Sequence, residues 1–326
     1  MTLEQSWYKR WGWSLLLWPL SVVFAALSAL RRLCFKLGVL KSHKVAAPVV
    51  VVGNISVGGT GKTPFTLWLC DYLQQQGLKP GILSRGYGVK LTEPTLVQPS
   101  HSAADVGDEP RLLASASGRP VLVWPNRVEG ALALLAKTDV NILICDDGLQ
   151  HYALQRDLEI VLIDGQRGLG NGCLLPAGPL REGAWRLKCV DLVLSNSGAS
   201  VWTPHQLTLQ ALPAQPVNPA SMGLLTTGCA VSIVTGIGNP NRFVDTVQQA
   251  GFTVQSSHFF PDHHAFQPAD FAGVKGPILM TTKDAVKCQS FANDDWFMLP
   301  VQATPDPQAI ALISQQLTRL RTSYGI

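Results

Sequence analysis

Charge is scarce in this chain. Asp, Glu, Lys and Arg make up 15% of its 326 residues, against roughly 25% in an average soluble domain. Hydrophobic residues are 46% of the whole. A sizeable core can therefore form, and the deficit of charge suits a globular protein associated with something apolar. C-x-x-C pairs are missing too. The seven cysteines (34, 70, 145, 173, 189, 229 and 288) are scattered and odd in number, which argues against a disulfide framework and a zinc site and fits a reducing cytoplasm. There is no H-x-x-x-H pattern, internal repeat or low-complexity tract. No basic patch of nucleic-acid type occurs along the main body, so a nucleic-acid partner is not expected.

The net charge of +4 has a definite location. Up to Lys41 there are six basic residues (Lys9, Arg10, Arg31, Arg32, Lys36, Lys41) against one acid, Glu4, while the remainder holds 20 basic and 21 acidic residues. This N-terminal excess would meet anionic lipid headgroups. Twenty residues between Arg10 and Arg31 carry no charge; as a helix they would be roughly 30 Å long, near the thickness of a bilayer core. Trp7, Trp11, Trp13, Trp18 and Tyr8 gather at one end, as at a membrane interface. Pro19 and the serines at 14, 21 and 28 speak against a simple straight span. A cleaved signal peptide ending near "ALSA" and a buried core helix are the competing readings. A retained anchor, spanning or interfacial, is the expectation, and basic clusters on both sides leave its orientation open.

Beyond residue 45 the pattern changes. "APVVVVGN" is a β-branched run suited to a strand buried on both faces. Strand-like runs recur at "GILSR", "PVLVW", "VNILICDD", "LEIVLID" and "VDLVLS", with helical stretches such as "DEPRLLASAS" and "RVEGALALLAK" between them. This alternation predicts an α/β fold, a mostly parallel sheet with helices on both faces. From Leu207 to Thr227 the composition turns to Pro, Ala, Gln and Asn, read as an extended linker. A second α/β pattern follows. The expected organisation is an N-terminal segment 1–42, a P-loop domain 43–206, a linker 207–227 and a smaller α/β domain 228–326.

"SVGGTGKT", Ser56-Val57-Gly58-Gly59-Thr60-Gly61-Lys62-Thr63, follows the buried run and precedes a helical pattern. It fits G-x-x-x-x-G-K-[ST] except for serine at the first position. Glycines let backbone N–H groups turn inward, and the next helix aims its N-terminus at the anion. Lys62 would reach the β- and γ-phosphates of ATP, and the Thr63 hydroxyl would ligate Mg²⁺. A glycine-rich turn without a ligand is the bland alternative, and the strand–loop–helix context argues against it.

Acids supply the other half of the chemistry. "VNILICDDGLQH" reads as a strand ending in Asp146 and Asp147, where a Walker B carboxylate holds Mg²⁺ directly or through water; a turn pair before Gly148 is the alternative. Gln150 and His151 could shape the same crevice. "GDEP" places Asp108 and Glu109 at a helix start, as caps or, more sharply, as a base for an acceptor hydroxyl and a metal ligand. "FPDHHAF" brings Asp262, His263 and His264 together; a histidine beside a carboxylate can share a proton near neutral pH. Arg85, Tyr87 and Arg181 could steady an anionic acceptor.

In order along the chain, "NISVGGTGKTP", "LSRGYG", "VGDEP", "ILICDDGLQH", "GNGCLLPAGPLRE", "FPDHHAF" and "MTTKDAVKC" resemble the tetraacyldisaccharide 4'-kinase family of lipid A biosynthesis. The resemblance covers most of the chain. It implies transfer of the ATP γ-phosphate, with Mg²⁺, to the 4'-hydroxyl of a tetraacylated glucosamine disaccharide 1-phosphate, giving lipid IVA at the cytoplasmic face of a Gram-negative inner membrane. It also implies a P-loop domain joined to a smaller domain with the site in the cleft between. On this sequence it assigns Lys62 and Thr63 to phosphates and metal, Asp146 and Asp147 to the Walker B pair, Asp108 to the base and Glu109 to its acidic neighbour. A histidine of the D-H motif, His263 or His264, would pair with that base. Tyr87 and Arg181 match positions linked to nucleotide or acceptor. The principal rival is a membrane-cycling partitioning ATPase, whose signature lysine would stand where this chain has Val57. A nucleotide-sensing membrane module without transfer activity is the third reading.

Overall fold

The computed structural model describes residues 2–9 and 11–326; Arg10, counted above among the N-terminal cations, lies outside them. In chain order the strands are β1 (Val49–Gly53), β2 (Pro80–Ser84), β3 (Thr95–Leu96), β4 (Val121–Val123), β5 (Ile142–Asp146), β6 (Leu158–Asp164), β7 (Leu192–Asn196), β8 (Gln206–Ala211), β9 (Gln215–Pro216), β10 (Ala230–Thr235), β11 (Thr253–Phe259), β12 (Ile278–Thr281), β13 (Trp296–Leu299) and β14 (Val301–Pro305). The helices are α1 (Leu3–Trp7), α2 (Trp18–Lys36), α3 (Lys62–Gln75), α4 (Ala103–Val106), α5 (Asp108–Ser117), α6 (Arg127–Lys137), α7 (Pro240–Gln249), α8 (Thr282–Cys288) and α9 (Pro307–Tyr324).

The larger sheet runs β14-β8-β7-β6-β1-β5-β2-β4-β3. It is parallel from β8 to β4, with β3 and β14 antiparallel at the two edges. Every residue of β1, β2, β5, β6 and β7 is buried, which explains the unbroken apolar runs: both sheet faces are covered. Phe65, Leu69, Cys70 and Leu73 of α3, Leu113 of α5 and Ile313 and Leu317 of α9 pack on one face. Ala131 and Leu134 of α6 pack on the other with Leu154 and Leu187. β1 lies between β6 and β5, in register Val52 opposite Asp146. The loop after β1 and the acid ending β5 therefore emerge side by side at the carboxyl edge, where open α/β sheets bind ligands.

The smaller sheet, β11-β10-β12-β13-β9, is parallel except for β9. Its topology divides the chain differently from composition. Within the stretch read as a linker, β8 is a strand of the large sheet and β9 an edge of the small one. The C-terminus does not stay with the small domain: β14 pairs with β8, and α9 buries Ala309, Ile313, Leu317 and Leu320 against the large core. Pro and Gln obscured these strands because β8 exposes alternate residues and β9 is two residues long. The chain thus crosses between the domains twice.

The N-terminal helix is neither free nor core. The stretch Trp13–Lys36 is long and apolar enough to cross a membrane, and Ser14 and Ser21 are its buried residues. Ser21 is the contact point: its hydroxyl donates to the Leu174 carbonyl (2.8 Å) and accepts from the Ala177 N–H (2.9 Å). Ser14 meets Ser6 in a second buried pair (3.1 Å), and the Trp7 indole donates to the Pro176 carbonyl (2.9 Å). Ser21, one of the serines that spoke against a straight span, seats α2 on the domain. Its other face leaves Trp18, Leu20, Val23, Leu27 and Leu30 exposed.

Candidate active site

The phosphate loop is held by its neighbours. Gly58 and Gly61 adopt positive φ (111° and 89°), and Lys62 and Thr63 open α3. A side chain at Gly61 could not be accommodated, since its Cβ would lie 2.4 Å from Asn196 Nδ2. Asn196, ending β7, donates to the Thr60 carbonyl (2.9 Å). The Asn54 amide reaches the Gly58 carbonyl (3.3 Å). The strand-like stretch after Gly178 braces the loop from outside: Val57 N–H donates to Pro179 O (2.8 Å) and Arg181 N–H to Ile55 O (2.7 Å).

Beside the loop, the two Walker B acids differ. Asp147 pairs with Arg181 (2.9 Å) and Lys62 (3.5 Å). Burial would raise its carboxyl, but Lys62 and Arg181 outweigh that and bring it down to about 2. Asp146 is fully buried and pushed up to about 7, by desolvation first and then by Glu109. Its Oδ1 has no hydrogen-bond partner among the described residues. A buried carboxylate oxygen free to take a ligand, in the cleft that Thr63 and Glu109 also line, fits a hard cation bound through few protein oxygens and completed by water and phosphate. Among the described residues no cluster of three or more His, Cys, Asp or Glu side chains forms a ready-made metal cage.

Across the cleft the two domains meet through side chains. His263 Nδ1 lies 3.0 Å from Asp108 Oδ2. His264 turns away, its Nε2 2.9 Å from Asp270. The two histidines that sequence left open are thus separated by geometry. Asp108 is half-buried, which would raise its pKa, yet the His263 hydrogen bond and the Lys283 charge bring it down to about 2. The Asp108 hydrogen bond raises the imidazole pKa, against burial and Lys283. Tyr87 stacks obliquely on His263, ring centres 5.2 Å apart. Both Asp147 and His263 have positive φ, 48° and 61°.

A cleft of about 1360 Å³ is lined by Val57–Thr63, Tyr87, Asp108, Glu109, Asp146, Asp147, Gln150, Arg181 and His263, and continues to Phe24, Ser28, Arg31 and Arg32 of α2. The structure thus brings nearly all the sequence-derived candidates to one space. Ser56 sits below the lining, buried in a bridge to Leu180. His151 is directed elsewhere: its Nε2 accepts the Arg127 backbone N–H (3.3 Å), and burial with nearby arginines lowers its pKa to about 4. It does not line the cleft.

Sequence reasoning passed over two cations. Arg127 is buried, donates through Nη2 to the Asp146 carbonyl (2.6 Å), and keeps Nη1 unpartnered among the described residues. Lys283, from "MTTKDAVKC", lies 3.3 Å from Glu109, 3.4 Å from Asp262 and 3.4 Å from His263 Nε2. Burial works against its charge, but Glu109, Asp108 and Asp262 raise its pKa. A lysine directly after a strand-ending Thr-Thr was the only available signal.

A P-loop at the central strand of a parallel sheet, beside an aspartate of the same domain that a second domain's histidine meets across the cleft, defines a kinase of the P-loop class. The family model for tetraacyldisaccharide-1-P 4'-kinase, LpxK, matches residues 13–318. A tetraacyldisaccharide 4'-kinase of Shewanella sp. (strain MR-4) is 46% identical over 322 residues, 98% of this chain and 95% of that one. The enzyme of that name from Methylobacillus flagellatus is 46% identical over 323 residues, covering 98% and 96%. A crystal structure of LpxK from Aquifex aeolicus, an "apo" form in complex with ATP, superposes with a TM-score of 0.77 at 28% identity, covering 94% of this chain and 99% of that one. The chain belongs to the tetraacyldisaccharide-1-P 4'-kinase family.

Proposed function

We propose that this protein transfers the γ-phosphate of ATP to the 4'-hydroxyl of a tetraacyldisaccharide 1-phosphate, at the cytoplasmic face of the inner membrane. One observation carries the reading beyond family membership. The cleft that holds Lys62 and the Asp108–His263 pair runs without a break to α2, whose outer face is apolar and exposed. A lipid whose acyl chains stay in the bilayer can therefore present its sugar to the phosphate loop. Confinement to that surface raises the effective acceptor concentration.

In this reading the backbone N–H groups of Gly58–Gly61 cradle the phosphates, and Lys62 offsets charge that builds on the transferring group. Asp108, ionised and aligned by His263, takes the proton of the acceptor hydroxyl. The hydroxyl oxygen forms a bond to the γ-phosphorus as the bond from that phosphorus to the β–γ bridging oxygen breaks, and ADP leaves. Tyr87 lies over His263 at the mouth, and Arg181 and Gln150 line the acceptor side; His151 supports Arg127 from behind. Thr63 and Asp146, with Glu109 or Asp147, would hold Mg²⁺, which when bound neutralises phosphate charge. Asp146 is the best placed of the acids because its Oδ1 is free, whereas Asp147 already pairs with Lys62 and Arg181.

The membrane-cycling ATPase reading is disfavoured by Val57 at the signature position and by the family match. The deciding experiment incubates the enzyme with ATP, Mg²⁺ and the disaccharide 1-phosphate in detergent and weighs the lipid. One added phosphate is expected, and none with Lys62→Ala or Asp108→Ala. ATP hydrolysis with the lipid unchanged would refute the proposal.

A further inference from the structure

Resting on the kinase reading above, we propose that Lys283 is a positioning residue for the Asp108–His263 pair: its ammonium, set against Nε2, keeps the imidazole neutral and protonated at Nδ1, so that Asp108 stays free to accept the substrate proton. The argument is one of donors and acceptors. An ammonium donates only, so its approach to Nε2 at 3.4 Å requires a lone pair on that nitrogen. The one ring proton of a neutral imidazole then sits on Nδ1 and points to Asp108 Oδ2, 3.0 Å away. An imidazolium would instead turn an N–H toward a like charge.

Lys283 is well fixed for this task. It follows β12 at the start of α8, whose Asp284 is wholly buried and accepts from Thr235 and Thr281 (2.7 Å each). Its Nζ also reaches Glu109 on α5 (3.3 Å), so one side chain ties the small domain's histidine to the large domain's acids. The groups facing His263 are Asp108 from α5, Lys283 from α8, Asp262 from its own loop and the Tyr87 ring. Asp108 and Asp262 favour the imidazolium, and Lys283 is the cation directly opposing them; Lys287 acts on Asp108 from further off.

The test uses full-length enzyme carrying Lys283→Met or Lys283→Arg. The His263 ring-proton resonance, assigned with His263→Ala, is followed by NMR through a pH titration, and kcat/KM is measured over the same range. Loss of a unit charge at this distance, with both groups partly solvated, is expected to raise the His263 midpoint by about one pH unit in Lys283→Met. The acid limb of the rate profile should move with it, while Lys283→Arg restores both and the Kd for ATP changes less than about twofold. A purely structural lysine would lower activity evenly at every pH and leave the NMR midpoint in place, which would overturn the proposal. If Lys283→Met does not fold, an unshifted midpoint in a Lys283→Gln variant overturns it equally. The NMR midpoint needs no turnover, so failure of wild-type enzyme to phosphorylate the lipid would count against the kinase reading alone.

Discussion

Replacing Ser21 by alanine isolates the seating of α2. The Ser21 hydroxyl satisfies two backbone groups at once, the Leu174 carbonyl and the Ala177 N–H. Removing it leaves the Ala177 N–H without a partner at a site that is 5% exposed, while the Leu174 carbonyl keeps the Gly178 N–H (3.0 Å). Stranding one such group costs about 1–3 kcal/mol, so the docked arrangement of α2 should weaken roughly 5- to 150-fold. Amide hydrogen exchange reads this directly: the Ala177 N–H should exchange faster by a factor within that span, while amides of β1 and β5, held by the sheet, stay protected. Kinetics supply the second reading. KM for the lipid should rise more than KM for ATP, because Lys62 and the glycine cradle are built on β1 and α3 rather than on α2. Unchanged exchange at Ala177, or a larger rise in KM for ATP than for the lipid, would refute the idea that these hydrogen bonds aim the membrane face at the cleft.

Three further outcomes are expected. With Asp108 ionised at any working pH, the titrating member of the pair is His263, its pKa raised above 6.5 chiefly by the Asp108 hydrogen bond. On the proposal that the neutral imidazole is the active form, kcat/KM should climb with pH through a midpoint above 6.5; a midpoint below it contradicts the assignment. The sign for stability is opposite: the His263–Asp108 ion pair contributes fully below pH 6.5 and is lost as pH rises through the elevated value, so domain contact measured by exchange should loosen toward alkaline pH. Leu27→Glu with Leu30→Glu changes only exposed positions of α2; it should abolish sedimentation with anionic vesicles and leave the melting temperature unchanged, and retained sedimentation would sink the interfacial role. Asn196→Ala removes the bond to Thr60 O; KM for ATP, measured at saturating lipid, should rise about tenfold, in line with roughly 1.5 kcal/mol for one buried hydrogen bond.

How much of this could be read from residues follows from physics. Strands buried on both faces announce themselves as Val/Ile/Leu runs, and "VVVVG" and "ILICD" coincide with β1 and β5. The phosphate loop was legible because its chemistry is local: eight consecutive residues form the cradle. β8, β9 and β14, at or next to a sheet edge, were not, since β8 and β14 expose alternate side chains and β9 is two residues long. Lys283 and Arg127 escaped for another reason. A lone cation has no pattern, and its meaning comes from acids that folding brings to it from α5 or β5. His151 misled in the reverse direction. Next to Gln150 in sequence, it is turned from the cleft to accept the Arg127 backbone N–H.

Left-handed backbone conformation bears on how the site is assembled. Asp147 and His263 are two of the three non-glycine residues with positive φ among those described, and each costs about 1–3 kcal/mol relative to an unstrained backbone. The compensation lies in their side chains: Asp147 is drawn to Lys62 and Arg181, and His263 to Asp108. In both cases a strained residue of one segment is held by charges from another. Asp147 is fixed within the large domain, so its strain is stored whether or not the cleft is closed. His263 is held across the domain boundary by Asp108, and within its own domain it meets Lys283, which itself reaches over to Glu109. Opening the cleft would release that restraint, so the acid–histidine pair exists as a catalytic unit only when the domains are together. On the proposed mechanism, Asp108 is therefore aligned by His263 to take the acceptor proton only in this arrangement of the domains.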